Sequence, residues 1–235
     1  MSIARLSSSI PENCSENYVE RSAGCVEPRA LRILMVGPDL RVRGGVSAVQ
    51  RLLLQALPGD IAATHVATMI EGGRWRKLLT FLRSLVLVRT QLRRGVDVAH
   101  IHFASGASTR RKMMIARLAA LHGVPVILHG HGGGYRRYWA RISWVERRLI
   151  QQMLRDAQRI VVLGADWRDF YASIGAPRER IEVLPNSVAV PQRLPDRPPS
   201  GRVRLVHLAS LSRVKGSFDL LEALSRLPPR VKAQD

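Results

Sequence analysis

Cysteine is nearly absent from this chain. Its 235 residues hold two, Cys14 and Cys25. Both stand in the N-terminal segment without partners at zinc-ligand spacing, and two thiols make no disulfide framework. A reducing cytosol is the default compartment for such usage. Aromatic residues make up only 5%, scattered rather than grouped as a stacking platform for bases, which argues against a nucleic-acid binder. Acidic residues are sparse, 18 Asp and Glu against 37 Lys and Arg, for a formal net charge of +19. That balance favours an anionic partner, here a phosphorylated substrate or an anionic membrane surface. Long apolar runs are missing too. No stretch reaches the 18 residues of a spanning helix, and the opening "MSIARLSSSIPENCSENYVERSAGCVEPR" has no apolar core of a secretory signal. The expectation is a soluble or peripheral protein, cytoplasmic or held at the inner face of the plasma membrane.

What the chain does have, after a polar leader over residues 1–29 that reads as disordered, is a rhythm. "LRILMVGP" (31–38) reads as a buried strand, followed by the loop "DLRVRGG" and a helix "VSAVQRLLLQAL". "IAATHVATM" (61–69), "VDVAHIHF" (96–103), "PVILHG" (125–130), "RIVVLG" (159–164) and "IEVLPN" (181–186) read as further strands. Helices are expected over 74–94, 109–122, 138–157 and 165–175 between them. Strands that are apolar throughout, alternating with helices, point to an α/β protein: a doubly wound parallel sheet of Rossmann-like type, covered on both faces, over residues 30–189. A Pro-rich linker follows over 190–202. The pattern then restarts with a strand "VRLVHLAS" (203–210) and a helix "SFDLLEALSRL" (217–227), so residues 203–235 read as the first βα unit of a second Rossmann-like domain.

Three places carry candidate chemistry. The first βα turn puts Gly44 and Gly45 directly before a helix, where backbone N–H groups and the helix dipole can approach an anion. It lacks the G-x-G-x-x-G fingerprint, so a dinucleotide is disfavoured. Next, two histidine pairs stand at the carboxyl ends of adjacent strands: His100 and His102, and His129 and His131. Alternation along a strand sends both members of a pair to one face. A metal site requires three or four ligands and a supporting shell, and no Asp, Glu or Cys follows either pair, so no metal is expected. Strand-end histidines packed in a core suit His100 and His129. The glycine run Gly132–Gly134 after His131 leaves room for a ligand to approach that residue. Finally, Arg213 and Lys215 precede Gly216 at a strand-to-helix loop, placed to neutralise a diphosphate.

The segment 74–94 is a basic amphipathic helix. Trp75, Leu78, Leu79, Leu82, Leu85 and Val86 share one side, among Arg74, Lys77, Arg83, Arg89, Arg93 and Arg94. Two arrangements fit. The apolar side packs on the core with a solvated basic rim, or it lies on an anionic membrane.

In their order, the strand-GG-helix start, "VAHIHF", "PVILHGHGG", "RIVVL", "IEVLPNSV", the Pro-rich linker and "VRLVHLASLSRVKGSFDLLEAL" resemble the retaining, GT-B-fold glycosyltransferases of family 4, or group 1, of the exopolysaccharide or lipopolysaccharide type. The resemblance covers residues 31–230 and implies a nucleotide-sugar donor, a lipid-linked or saccharide acceptor, and no cofactor. It implies that His131, the histidine of the "HG" strand end, faces the sugar as the catalytic residue. It implies that Gly44, Gly45 and Lys215 meet the donor phosphates, with Arg213 in support, because Ser210 stands where the family carries arginine. Asn186 matches the asparagine of the "PNG" turn, with Ser187 in place of the glycine. Tyr135, Arg136 and Arg137, beyond the glycine run, are candidates for touching the acceptor. The family's E-x7-E motif has no counterpart in residues 203–235; Glu12 and Glu20 share that spacing in the leader by accident. The resemblance therefore implies a chain truncated in its second domain and inactive by itself.

Overall fold

The computed structural model describes residues 29–188, 190–193, 205–209 and 211–228. The predicted leader, apart from Arg29, lies outside them, as does most of the linker. By its internal contacts the chain divides into two units, Met1–Ala189 and Val190–Asp235.

In the first unit six strands form one parallel sheet: β1 (Leu31–Gly37), β2 (Ile61–Ala67), β3 (Val98–Phe103), β4 (Val126–Gly130), β5 (Arg159–Val162) and β6 (Ile181–Val183), in the order β2-β1-β3-β4-β5-β6. The helices are α1 (Gly45–Gln55), α2 (Arg74–Arg93), α3 (Ala107–Leu121), α4 (Tyr135–Arg141), α5 (Trp144–Asp156) and α6 (Ala165–Ser173). The step from β1 to β2 runs opposite to all later steps. Right-handed crossovers therefore put α1 on one face and α2, α3, α5 and α6 on the other. This is the doubly wound α/β fold expected from the strand pattern, and its switch point lies where the chain leaves β1 and β3 in opposite directions.

Strand parity sorts the side chains. Leu34, Val36, Ala99, Ile101, Phe103, Leu128 and Ile160 are fully buried toward α2, α3, α5 and α6. Met35 and His100 are register partners on the opposite face. There Gly37 touches α1 so closely that a Cβ would fall 2.1 Å from the Gln50 amide nitrogen.

Two helices depart from the sequence expectation. The predicted helix over 138–157 is two helices that break at Ile142 and Ser143. The reason is local: in "SWVE" the Ser143 hydroxyl accepts from the Glu146 backbone N–H at 3.3 Å, the first half of a capping box. In α2 the side that meets the core is Phe81, Ser84, Val88 and Leu92. The stripe Trp75, Leu78, Leu79, Leu82 and Val86 faces outward, with Trp75 82% and Val86 67% exposed. The packed-core reading of that stripe is therefore corrected: the helix has two apolar sides, and the shorter one satisfies the sheet. Among the described residues no helix is long and apolar enough to cross a membrane.

In the second unit, α7 (Ser217–Ser225) follows a 3-10 turn at Arg213–Lys215. The strand predicted over 203–210 is not formed in its described part, residues 205–209. A lone strand has no ladder to join, and among the described residues no other strand follows β6.

The orientation of α2 predicts an asymmetry between neighbours. Phe81→Ala should lower stability by about 3–5 kcal/mol. Leu82→Ala, one residue on, should change it by less than about 0.5 kcal/mol. Urea denaturation of the two variants measures the difference.

Candidate functional site

Parallel pairing sets the histidines. His102 and His129 are direct partners between β3 and β4, and the backbone N–H of His131 continues the ladder, donating to the Phe103 carbonyl at 2.8 Å. All four imidazoles therefore project from one patch of one face. They form two side-by-side pairs, His100 Nε2 to His129 Nδ1 at 3.3 Å and His102 Nδ1 to His131 Nε2 at 2.9 Å. Within these pairs the ring planes differ by only 6° and 17°. Along each strand the rings stack face to face, 4.5 Å apart for His100 on His102 and 4.6 Å for His129 on His131. The sequence reading treated the pairs separately. The structure makes them a single block, because strands in register place each pair beside the other.

Burial dominates the chemistry of this block. His102, His129 and His131 are buried and His100 is partly so. Loss of hydration pushes His100 and His131 down to about 4 and His129 to about 3; the neighbouring rings add to the effect on His129 and His131. His102 is also held well below its ordinary value, first by burial. All four rings are neutral at pH 7. Each neutral ring has one donor and one acceptor nitrogen, which suits the two observed pairs. The Nε2 atoms of His102 and His129 are buried without a partner.

Ring nitrogens of His100, His102 and His129 lie within 4.8 Å of one another, so three candidate metal ligands are nearer than the sequence suggested. Within this trio His100 and His129 share a hydrogen bond at 3.3 Å, and the His102 ring is turned 30° and 26° from the other two.

The glycines after His131 divide: a Cβ on Gly133 or Gly134 would meet nothing within 4 Å, as expected of open space, but Gly132 differs. A Cβ on Gly132 would lie 2.5 Å from the Trp167 indole, so that space is filled by the protein. Gly134, at φ 79°, starts α4 in the left-handed region that favours glycine. Tyr135, a candidate for the acceptor, is fully buried, and that assignment is corrected. Its ring packs edge-on to Phe103 and Tyr138 and beside Tyr171, as the first core residue of α4. Arg136 is exposed. It donates to the Asp166 carbonyl at 2.8 Å and lies over the Phe170 and Trp167 rings.

Gly44 and Gly45 stand at the start of α1 with no side-chain cap and nothing within 4 Å of an added Cβ. In the second unit Arg213 lies over the Phe218 ring at 5.1 Å, and Gly216, at φ 71°, leads into α7. Lys215 is exposed beside them.

Sequence reasoning passed over Lys112. It is 1% exposed on the core side of α3, in line with Thr109, Ile115, Ala116 and Ala119. A lysine in a buried helical stripe was the available signal. A groove of about 960 Å³ between α3 and α5 lies at the other end of the strands, around Gly123, Pro125 and Gln158. Ligands of open α/β sheets sit at the carboxyl ends, so this groove is set apart from the site.

The family model described as "Glycosyl transferase 4-like domain" matches residues 16–187. Among solved structures, HepE (Alr3699) of Anabaena in complex with UDP and glucose is 14% identical, with a TM-score of 0.43. The match covers 67% of this chain and 45% of that one. The glycotransferase of kitacinnamycin is 15% identical at a TM-score of 0.39, covering 84% of this chain and 64% of that one. A 2-deoxyribosyltransferase from Bacillus psychrosaccharolyticus is 10% identical at 0.33, covering 61% and 96%. At these scores none of the three carries an argument, and the chain spans less than two thirds of both HepE and the kitacinnamycin enzyme. No curated protein matches the chain.

The depressed histidines make stability sensitive to acid. Their folded values lie below the unfolded 6.5, so between about 4 and 6.5 the unfolded chain binds more protons. Their contribution is complete near pH 7 and falls as the pH drops through that window. The urea midpoint should decline from pH 6.5 toward 4, and His129→Gln should flatten the decline.

Proposed function

The chain belongs to the glycosyl transferase 4-like domain family, and on that premise we propose that its first unit is the acceptor-side half of a retaining glycosyltransferase. The reaction moves a sugar from a nucleotide donor to a lipid-linked or saccharide acceptor in cell-surface polysaccharide synthesis.

The observation that carries this reading is His131 itself: buried, neutral, at the carboxyl end of β4 and fixed by His102 at 2.9 Å. Glycosyl transfer builds positive charge at the anomeric carbon and negative charge on the departing diphosphate. A neutral imidazole polarises or accepts from a sugar hydroxyl without opposing the first charge. The hydrogen bond to His102 holds its ring in place, which is the preorganisation such stabilisation needs. Within the first unit the second charge is assigned to the backbone N–H groups at Gly44 and Gly45, at the start of α1. In the second unit, taken by itself, Arg213 and Lys215 are the proposed diphosphate contacts. Arg136 remains the acceptor-side candidate.

The purified chain should release no UDP or GDP from nucleotide sugars by itself; turnover by the chain alone would overturn the half-site assignment. In a full-length relative, alanine at the counterpart of His131 should lower kcat by about 10²-fold or more. Alanine at the counterpart of His129 should cost far less. Equal losses at both positions would remove His131 from its role.

A second reading is favoured by the outward stripe of α2: docking on an anionic phospholipid surface, where a lipid-linked acceptor resides. Trp75, Leu78, Leu79, Leu82 and Val86 recur at helical spacing on one exposed line, and Arg89 and Arg93 continue it. Arg76 and Arg83 flank it, and α2 carries no acidic residue. Such a helix lies in the interface with its apolar side down and its cations on the lipid phosphates. The chain should sediment with vesicles of 30% phosphatidylglycerol in phosphatidylcholine and not with phosphatidylcholine alone. Binding should weaken with salt and with Trp75→Ser. Equal binding to both vesicle types would sink the idea.

A further inference from the structure

At the switch point, above the carboxyl ends of β1, β2 and β3, lies a cavity of about 130 Å³. Its lining includes Pro38, Val46, Thr68, His102, Arg111 and Lys112. Three of these bring side-chain N–H groups and none brings a carboxylate. The Lys112 ammonium donates to the Thr68 hydroxyl, which in turn donates to the Gly37 carbonyl at 2.9 Å. Thr68 takes one of three ammonium protons, and no other partner of Lys112 is present among the described residues. Burial, and the like charge of Arg111 beside it, hold the ammonium well below its ordinary value. Arg111 Nε and His102 Nε2 are both buried and unpartnered.

An unpaired cation inside a protein is among the costlier arrangements a fold carries. Two further N–H-bearing groups without partners at the same cavity compound that cost. One ligand class resolves all three at once, since a tetrahedral oxyanion accepts from several directions and supplies the missing negative charge.

We infer that this cavity is a phosphate pocket built from Lys112, Arg111, His102 and Thr68, and that its occupant is a phosphate group of the acceptor. The second half rests on the acceptor-side reading above. Occupancy fixes a tautomer. His102 donates from Nε2 to the phosphate, so its Nδ1 accepts from His131 Nε2–H. His131 is then left with Nδ1 as an acceptor for a sugar hydroxyl. The phosphate thus positions the acceptor one imidazole away from His131 and sets the proton state of that residue.

Isothermal titration calorimetry on the whole chain tests this with three probes: inorganic phosphate, farnesyl phosphate and the neutral alcohol farnesol. Both phosphates should bind saturably, farnesyl phosphate at least tenfold more tightly than farnesol or inorganic phosphate. Lys112→Met, which keeps the volume and removes the charge, should weaken both phosphates at least tenfold without lowering the melting midpoint. If that variant melts lower, Arg111→Gln carries the same expectation. Equal phosphate affinity in the wild type and both variants would mean ions gathered on the basic surface, and would overturn the pocket. Lys112-dependent phosphate binding with no gain for farnesyl phosphate would keep the pocket and overturn the acceptor as its source, a result separate from any turnover assay.

Discussion

The register of β3 on β4 is the constraint on which the site depends. Because His102 stands opposite His129, the histidines at 100 and 131 fall into place on either side, and four rings close into one buried block. A slip of one residue would send one pair through the sheet toward Phe103 and Leu128 and leave the other without partners. Burial then keeps the rings neutral, neutrality lets each ring both donate and accept, and that bipolar state is what links His102 to His131. Geometry and proton state at the carboxyl ends of β3 and β4 have the same cause.

Cations are divided in the same way between inside and outside. Most of the Lys and Arg excess stands on helix surfaces, where water solvates it at little cost. Lys112 is the contrast, a lysine on the core side of α3 where its neighbours are Thr109 and Ile115. Surface arginines follow from composition and report on the kind of surface the molecule meets. A buried lysine lining a cavity at the carboxyl strand ends is instead the basis of the phosphate pocket proposed above.

Much of the fold was legible in the sequence. Six apolar stretches alternating with helices sufficed for a parallel sheet, because buried strands and half-exposed helices carry different periodicities. The split between α4 and α5 was also written there, in the Ser143-x-x-Glu146 pattern, though the helical periodicity on either side masked it. The outward stripe of α2 was not legible. Phe81, Val88 and Leu92 form as good an apolar line as Trp75, Leu82 and Val86, and periodicity does not say which line meets the sheet. At the site, His131 and the strand ends could be read from position alone. Tyr135 was misread because a residue just past a glycine run looks like a loop tip, whereas here it opens a helix and drops into the aromatic core.

The sequence by itself therefore determined the sheet, its topology class and the placing of two histidine pairs at carboxyl strand ends, since these follow from local periodicity and chain order. Only the tertiary structure decided that the pairs are one block, that Trp167 fills the space over Gly132, and that Lys112, Arg111 and His102 share one cavity. Those contacts join residues far apart in the chain through packing, and no local pattern records which side chains packing will bring together.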